Sequence, residues 1–424
     1  MPGRYPAARA KVARYEELGN SVDKLMSRLG GLRSAMVGLW LLGGAISALA
    51  AEAAARGGWT RVQPPASVAG IDGARHSASC TGFPGTDPSY HFYTRKGKTR
   101  NLVVYFEGGG ACWDSGTCTF PDGKLPSGVP QYFSASMATS VHPADLRGMF
   151  NLSRSSNPIK DWDMVYVPYC TADLHAGTAT RTYENVGHPI YNGLPSSFPI
   201  RHNGYSNTMV VLDWIRKNLR SPERVLVAGS SAGGYGASIH FPWLRQLFPA
   251  AQISVIADAS QGVTTPTWDQ STPGRGSWSL RLPAWSDPIG TVNVSGPELL
   301  RLAAQSDPLA RVAQFSTVVD QVQAAYYGEM KQNYGPGGSC DNLAQDWNRQ
   351  MVGTMSSYAN TVPNYRHYLA AGTYHTVLTD SKFFAERSAG PTVNTWLAAM
   401  LDASDGWRNV ACPGCLTPVP CSDP

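Results

Sequence analysis

Residues 229–233 read Gly-Ser-Ser-Ala-Gly, a G-x-S-x-G centred on Ser231. So short a motif arises by chance, and its surroundings decide its weight. The run RVLVAG at 224–229 reads as a buried strand, and a helix is expected from about Ala232 to Leu247. A serine at such a strand-to-helix turn is lifted above the sheet, and the N–H of Ala232 lies beside its hydroxyl as a donor to a developing oxyanion. The turn is strained and crowded, and Gly229, Gly233 and Gly234 leave it room. A phosphate loop is disfavoured, because no Gly-Lys-Ser/Thr follows.

A serine hydroxyl is a weak nucleophile without an adjacent base. Only His240, His367 and His375 lie C-terminal to Ser231, where this turn architecture places the histidine. His240 falls inside the expected helix and His367 inside an expected strand. His375 follows that strand in a loop, so it is the expected base. Two carboxylates compete to orient its ring. Asp320 ends the strand just before the one leading to His375, which favours it; Asp258 ends the strand after the elbow helix. Either also reads as a helix N-cap. A second oxyanion donor is expected from Glu107-Gly108-Gly109-Gly110-Ala111-Cys112-Trp113, where three glycines let the backbone approach a substrate carbonyl.

These residues need a scaffold that brings strand ends together. Apolar runs at 101–110, 163–170, 224–229, 253–260, 312–320 and 366–374 read as strands, and helical spacing appears at 205–219, 232–247, 297–304 and 392–403. Alternating strands and helices predict an α/β fold with a mostly parallel sheet and helices on both faces. The stretch 263–292 has no periodicity and is expected to cap the site. Its Trp268, Trp278 and Trp285 either stack on sugar rings or form the core of the cap.

The chain has 424 residues, a net charge of +5 and 15% charged residues, against about 25% in an average soluble protein. Residues 1–33 carry seven basic and three acidic residues, so most of the net charge sits there. The nearly neutral remainder argues against nucleic-acid binding, which needs clustered positive charge. The uncharged run 34–51, preceded by Arg28 and Arg33 and ending in Ala48-Leu49-Ala50, reads as an export signal over residues 1–50, with Met26 as an alternative start. An uncleaved membrane anchor is the rival reading. Eight cysteines agree with an oxidising compartment. Cys112 and Cys118 are close enough to staple one loop. Cys412, Cys415 and Cys421 lie in a Pro-rich tail, 411–424, where a zinc site would lack a second ligand pair. No metal or cofactor is expected.

The segments VVYFEGGGACW (103–113), YVPYC with Asp173 (166–173), HNGYSN (202–207), VAGSSAGGYGA (227–237), VVDQVQ (318–323) and AGTYHTVL (371–378) together resemble the pectin acetylesterase/Notum family of serine carboxylesterases. The resemblance implies an α/β-hydrolase domain, here over 58–410, and a triad of Ser231, Asp320 and His375. It maps the oxyanion donors to Gly110, Ala111 and Ala232, and suggests Cys80–Cys170 and Cys112–Cys118 as disulfides. Family members typically carry Trp after the glycine run. Ala111 stands there in this chain, which keeps the backbone donor and removes a pocket wall.

The expected function is an exported serine esterase working through an acyl-enzyme, with an O-acetylated polysaccharide such as pectin as first substrate. A lipid or aryl-ester hydrolase, an acyltransferase and a non-catalytic carbohydrate-binding protein are the rivals. The intact Ser, Asp, His and glycine loop argue against the last.

Overall fold

Every residue of the run Leu102–Phe106 is buried, as is every residue of Asp163–Val167. A strand buried on both faces requires packed layers on both sides of its sheet. The computed structural model supplies them. It describes residues 56–121, 131–187, 193–287, 294–335, 340 and 342–421. The expected leader, 1–50, lies outside the described residues, and so does the side chain of Trp285.

The first strands are β1 (Trp59–Val62), β2 (Val68–Ala69), β3 (Arg75–His76), β4 (Phe92–Arg95) and β5 (Leu102–Phe106), followed by a one-turn helix α1 (Ser115–Cys118). Next come β6 (Asp163–Val167), β7 (Thr180–Glu184), β8 (Ser197–Arg201) and α2 (Gly204–Asn218). The elbow is β9 (Arg224–Ser230) and α3 (Ala232–Leu247), followed by β10 (Gln252–Asp258), α4 (Pro266–Gln270) and α5 (Glu298–Ser306). The chain closes with β11 (Arg311–Thr317), α6 (Gln321–Tyr334), α7 (Leu343–Thr361), β12 (Tyr365–Ala370), α8 (Val393–Asp402) and β13 (Val410–Ala411).

Nine strands form one sheet in the order β1-β4-β6-β5-β9-β10-β11-β12-β13. The two pairings at the β1 edge are antiparallel and all others are parallel. Side chains alternate between two cores, as the period of two in a strand dictates. Leu102, Val104, Phe106, Val225 and Val227 join α2 and α3 in one. Val103, Tyr105, Leu226 and Ala228 join Trp396, Leu397 and Met400 of α8 in the other. The mixed, mostly parallel sheet between helical layers is the expected fold class.

Two expected strands end early, for reasons that concern the site. The run 312–320 leaves the sheet after Thr317, which frees Asp320 to cap α6. The run 366–374 leaves after Ala370, and Gly372 turns the chain at φ 103°. The segment 343–361, to which the sequence reading assigns no element, is a 19-residue helix, α7, burying Trp347, Met351, Met355 and Tyr358 on one face. The expected boundary between domain and tail falls at β13, and disulfides Cys340–Cys421 and Cys412–Cys415 tie the tail down. Among the described residues no helix is long and apolar enough to cross a membrane.

His367 of β12 is 2% exposed, and neither ring nitrogen has a hydrogen-bond partner. Burial pushes its pKa down to about 4. A histidine held neutral by the fold stabilises it above the unfolded-state pKa, near 6.5, and that contribution is lost as pH falls towards the folded value. Between pH 7 and pH 5 the wild-type protein is expected to lose about 2 kcal/mol more stability than His367→Leu. Urea unfolding at the two pH values measures the difference, and equal losses would refute it.

Candidate functional site

The parallel strands β5, β9, β10, β11 and β12 deliver their C-terminal ends to one edge of the sheet, where open α/β sheets place their ligands. From β5 comes the glycine loop, from β9 Ser231, from β10 Asp258, from β11 Asp320 and from β12 the loop carrying His375.

Ser231 has φ 57° and ψ −128°, a left-handed conformation that costs a non-glycine residue about 1–3 kcal/mol and persists only where its surroundings enforce it. The enforcement is steric. A Cβ on Gly229 would overlap the Gly233 carbonyl, and one on Gly233 would overlap the Phe106 carbonyl. A Cβ on Gly108 would come 2.9 Å from the Ser231 side chain. The turn is therefore wedged between the glycine loop and the first turn of α3. The Ser231 N–H donates to the Asp258 carbonyl oxygen at 2.8 Å, and the Gly234 N–H donates back to the Ser231 carbonyl at 2.9 Å.

His375 and Asp320 meet across adjacent strand ends. His375 Nδ1 lies 2.8 Å from Asp320 Oδ2 and 2.9 Å from Oδ1. The carboxylate is fully buried, and the imidazole is 18% exposed. Asp320 also caps α6: the N–H groups of Val322 and Gln323 donate to Oδ1 at 3.0 Å, and Gln323 Nε2 donates to Oδ2 at 3.0 Å. One side chain thus both caps α6 and bonds the His375 ring. His375 Nε2 is buried without a hydrogen-bond partner among the described residues, and Ser231 and His375 line the same cavity. No hydrogen bond joins them, as is common before substrate tightens a site.

The other sequence candidates separate. Asp258 makes no hydrogen bond to His375; its carboxylate takes the N–H groups of Val377 and Leu378 and the Ser230 hydroxyl. Burial raises its pKa to about 6, against these hydrogen bonds. His240 bonds the His175 carbonyl, away from the serine. The expected oxyanion donors also divide. The N–H groups of Gly110 and Ala232 have no hydrogen-bond partner among the described residues. The Ala111 N–H, by contrast, donates to the Tyr132 carbonyl at 2.8 Å, in a bridge that pairs Gly110 with Phe133. In this structure the Ala111 donor is taken by the neighbouring chain segment.

Disulfides join Cys112 to Cys118 and Cys80 to Cys170, stiffening the glycine loop and the end of β6. Trp278 Nε1 donates to the Cys112 carbonyl at 2.6 Å and ties the cap segment to that loop. Trp268 and Trp278 are buried, packed edge-to-face at 5.5 Å, so neither is an open platform for a sugar.

Two recesses meet at Ser231 and His375. One is an apolar cavity of about 80 Å³ walled by Trp113, Leu174, Trp268, Trp278, Leu299 and Met330. The other is an open groove of about 390 Å³ that includes Gln131, Tyr132, Thr376 and Thr379. Val322 and Tyr326 border both. Sequence reasoning passed over these wall residues of α6, although Val322, Tyr326 and Met330 stand at helical spacing behind Asp320. At the floor, Glu107 is fully buried beneath the glycine loop. It accepts from the Ser140 hydroxyl at 2.6 Å and from the Val141 N–H at 2.9 Å, and burial pushes its pKa up to about 7.

The pectinacetylesterase family model matches residues 66–272. Pectin acetylesterase 7 of Arabidopsis thaliana is 25% identical over 178 residues, 41% of this chain and 41% of that protein. The palmitoleoyl-protein carboxylesterase notum1a of Danio rerio is 28% identical over 174 residues, 40% of this chain and 31% of that protein. The chain thus spans well under half the length of these curated relatives. The Drosophila Wnt deacylase Notum superposes with a TM-score of 0.52, covering 82% of this chain and 97% of that one at 17% identity. Over the matched stretches the chain is similar to the pectin acetylesterases and to the Notum carboxylesterases. It shares the Notum-like α/β-hydrolase fold, and the family is one of carboxylic ester hydrolases.

The packing around two glycines makes a paired prediction. Gly233→Ala forces a methyl group into the Phe106 carbonyl and is expected to destabilise the protein by about 1–3 kcal/mol. Gly353→Ala, in α7 where a Cβ meets nothing within 4 Å, is expected to stabilise it by about 0.5–1 kcal/mol. Thermal melts of the two variants beside wild type check both signs.

Proposed function

We propose that the protein is a serine carboxylesterase with Ser231 as nucleophile, His375 as general base and Asp320 as the acid that orients it. The observation that carries this reading is the His375–Asp320 pair, which leaves Nε2 unpartnered beside a cavity shared with a serine on a strained turn. His375 Nε2 takes the Ser231 proton as Oγ attacks the ester carbonyl. Asp320 fixes the tautomer that presents Nε2 and stabilises the imidazolium. The N–H groups of Gly110 and Ala232 receive the oxyanion, the second at the positive end of α3. The alcohol departs with the proton from His375. Water activated by the same imidazole then releases the acid from Ser231.

The two recesses assign the two halves of the ester. The apolar cavity receives the acyl group, and the open groove receives a polar alcohol, for which a carbohydrate hydroxyl is suited. A single water position needs about 10–15 Å³ of cavity, so about 80 Å³ holds several carbons. The methyl of an acetyl group leaves much of it empty. Ala111, where relatives typically carry a tryptophan, contributes to this room. The acyl group is therefore read as a short apolar chain, and an acetylated polysaccharide is the second reading. Four disulfides among the described residues support export to an oxidising compartment.

Turnover of p-nitrophenyl acetate, butyrate and octanoate tests the reading. Ser231→Ala is expected to abolish it, and Asp320→Asn to lower kcat by about 10³–10⁴-fold, the scale of the equivalent change in a serine protease. Each buried methylene contributes about 0.8 kcal/mol, so butyrate is expected to exceed acetate about tenfold in kcat/KM. A preference for acetate would return the site to the acetylesterase reading. Turnover that survives Ser231→Ala would refute the nucleophile.

A further inference from the structure

We propose that Asp258 is a positioning residue that fixes the His375 loop against the Ser231 turn. The inference rests on the esterase reading and assigns a job that reading leaves open.

Asp258 ends β10, fully buried, beside Ser230 in the parallel register of β9. Its main chain holds the nucleophile's turn, because its carbonyl accepts the Ser231 N–H at 2.8 Å. Its side chain holds the other half of the site. Oδ2 accepts from the N–H groups of Val377 and Leu378, both at 2.9 Å, and Oδ1 accepts from Val377 at 3.1 Å. The Ser230 hydroxyl donates to Oδ2 at 2.7 Å and itself accepts from the Tyr105 hydroxyl at 2.9 Å. One residue thus bonds the nucleophile itself, its predecessor, and the two amides that follow His375 and Thr376.

The loop needs such an anchor. Thr376 lies at φ 66°, a left-handed conformation that a β-branched residue adopts only when held. It stands between the imidazole and the two amides on Asp258. On its other side the loop is held through Tyr374, whose carbonyl accepts from Thr317 Oγ1 at 2.9 Å. The two buried carboxylates therefore divide the work. Asp320 sets the rotation and tautomer of the ring, and Asp258 sets where the loop carries it. Neither does the other's job, because no hydrogen bond runs from Asp258 to the ring. A misplacement of about 1 Å between reacting groups can cost about 10²-fold in rate.

The test compares wild type with Asp258→Asn and Ser230→Ala at a temperature where circular dichroism shows each fully folded. Asp258→Asn sets an amide donor against the loop N–H groups. Ser230→Ala removes one hydroxyl and remains informative if the first variant does not fold. The readouts are kcat and KM on p-nitrophenyl butyrate and the rate at which a fluorophosphonate labels Ser231. The expected result is a kcat about 100-fold lower for Asp258→Asn and about tenfold lower for Ser230→Ala, with KM within threefold and labelling slowed in parallel. Folded variants with lower melting temperatures but unchanged kcat and labelling would overturn the proposal and leave the esterase reading standing. A wild type that is neither active nor labelled would overturn both.

Discussion

A serine backbone held at φ 57° is the constraint on which the site is built. Nothing in serine prefers that conformation. It is imposed where β9 runs into α3 under the glycine loop, with carbonyls so close that no side chain fits at Gly229 or Gly233. The same crowding brings Gly108 of the glycine loop against the Ser231 side chain. Sheet register sets how near the turns come. β5 and β9 are direct neighbours, paired from Leu102 with Val225 to Phe106 with Gly229.

Polar groups are buried around this turn, and each is held by hydrogen bonds that also set a distance. Asp320 joins the start of α6 to His375. Asp258 joins three strand ends. Glu107 joins the glycine loop to residues 140–141 and to the Tyr169 N–H. Burial raises the pKa of Asp258 to about 6 and of Glu107 to about 7, since a charge in an apolar interior is costly without donors. Such groups rigidify a site when their partners are present. The apolar cavity beside them is walled by tryptophans that pack on one another, and Trp278 bonds the Cys112 carbonyl, so cavity wall and glycine loop share one support.

Most of the architecture was legible in the residues. Largely apolar runs of five to seven residues mark strands buried on both faces, and the helices between them carry one apolar side. Where the reading overran, it overran at the site. Val318 and Val319 look like strand and are not, because Asp320 must stand off the sheet to cap α6 and meet His375. Residues 371–374 look like strand and are loop, because a left-handed Gly372 turns the chain. The long helix α7 was missed although Trp347, Met351, Met355 and Tyr358 have helical spacing.

The sequence alone determined which residue types line this edge: a serine between small neighbours, a histidine after β12, an aspartate before it, and glycines after an early strand. These are local, because a turn that tight tolerates few residue types. Only the tertiary structure places Asp320, and not Asp258, in hydrogen-bond contact with His375. Both end strands and both precede a turn, and the difference is which strand lies beside the histidine loop and which carboxylate already takes that loop's N–H groups. It also showed the Ala111 N–H bonded to the Tyr132 carbonyl, which arrives from a segment about twenty residues away. Long-range pairing of this kind leaves no trace in local spacing, because the donor and acceptor are backbone groups that every residue carries.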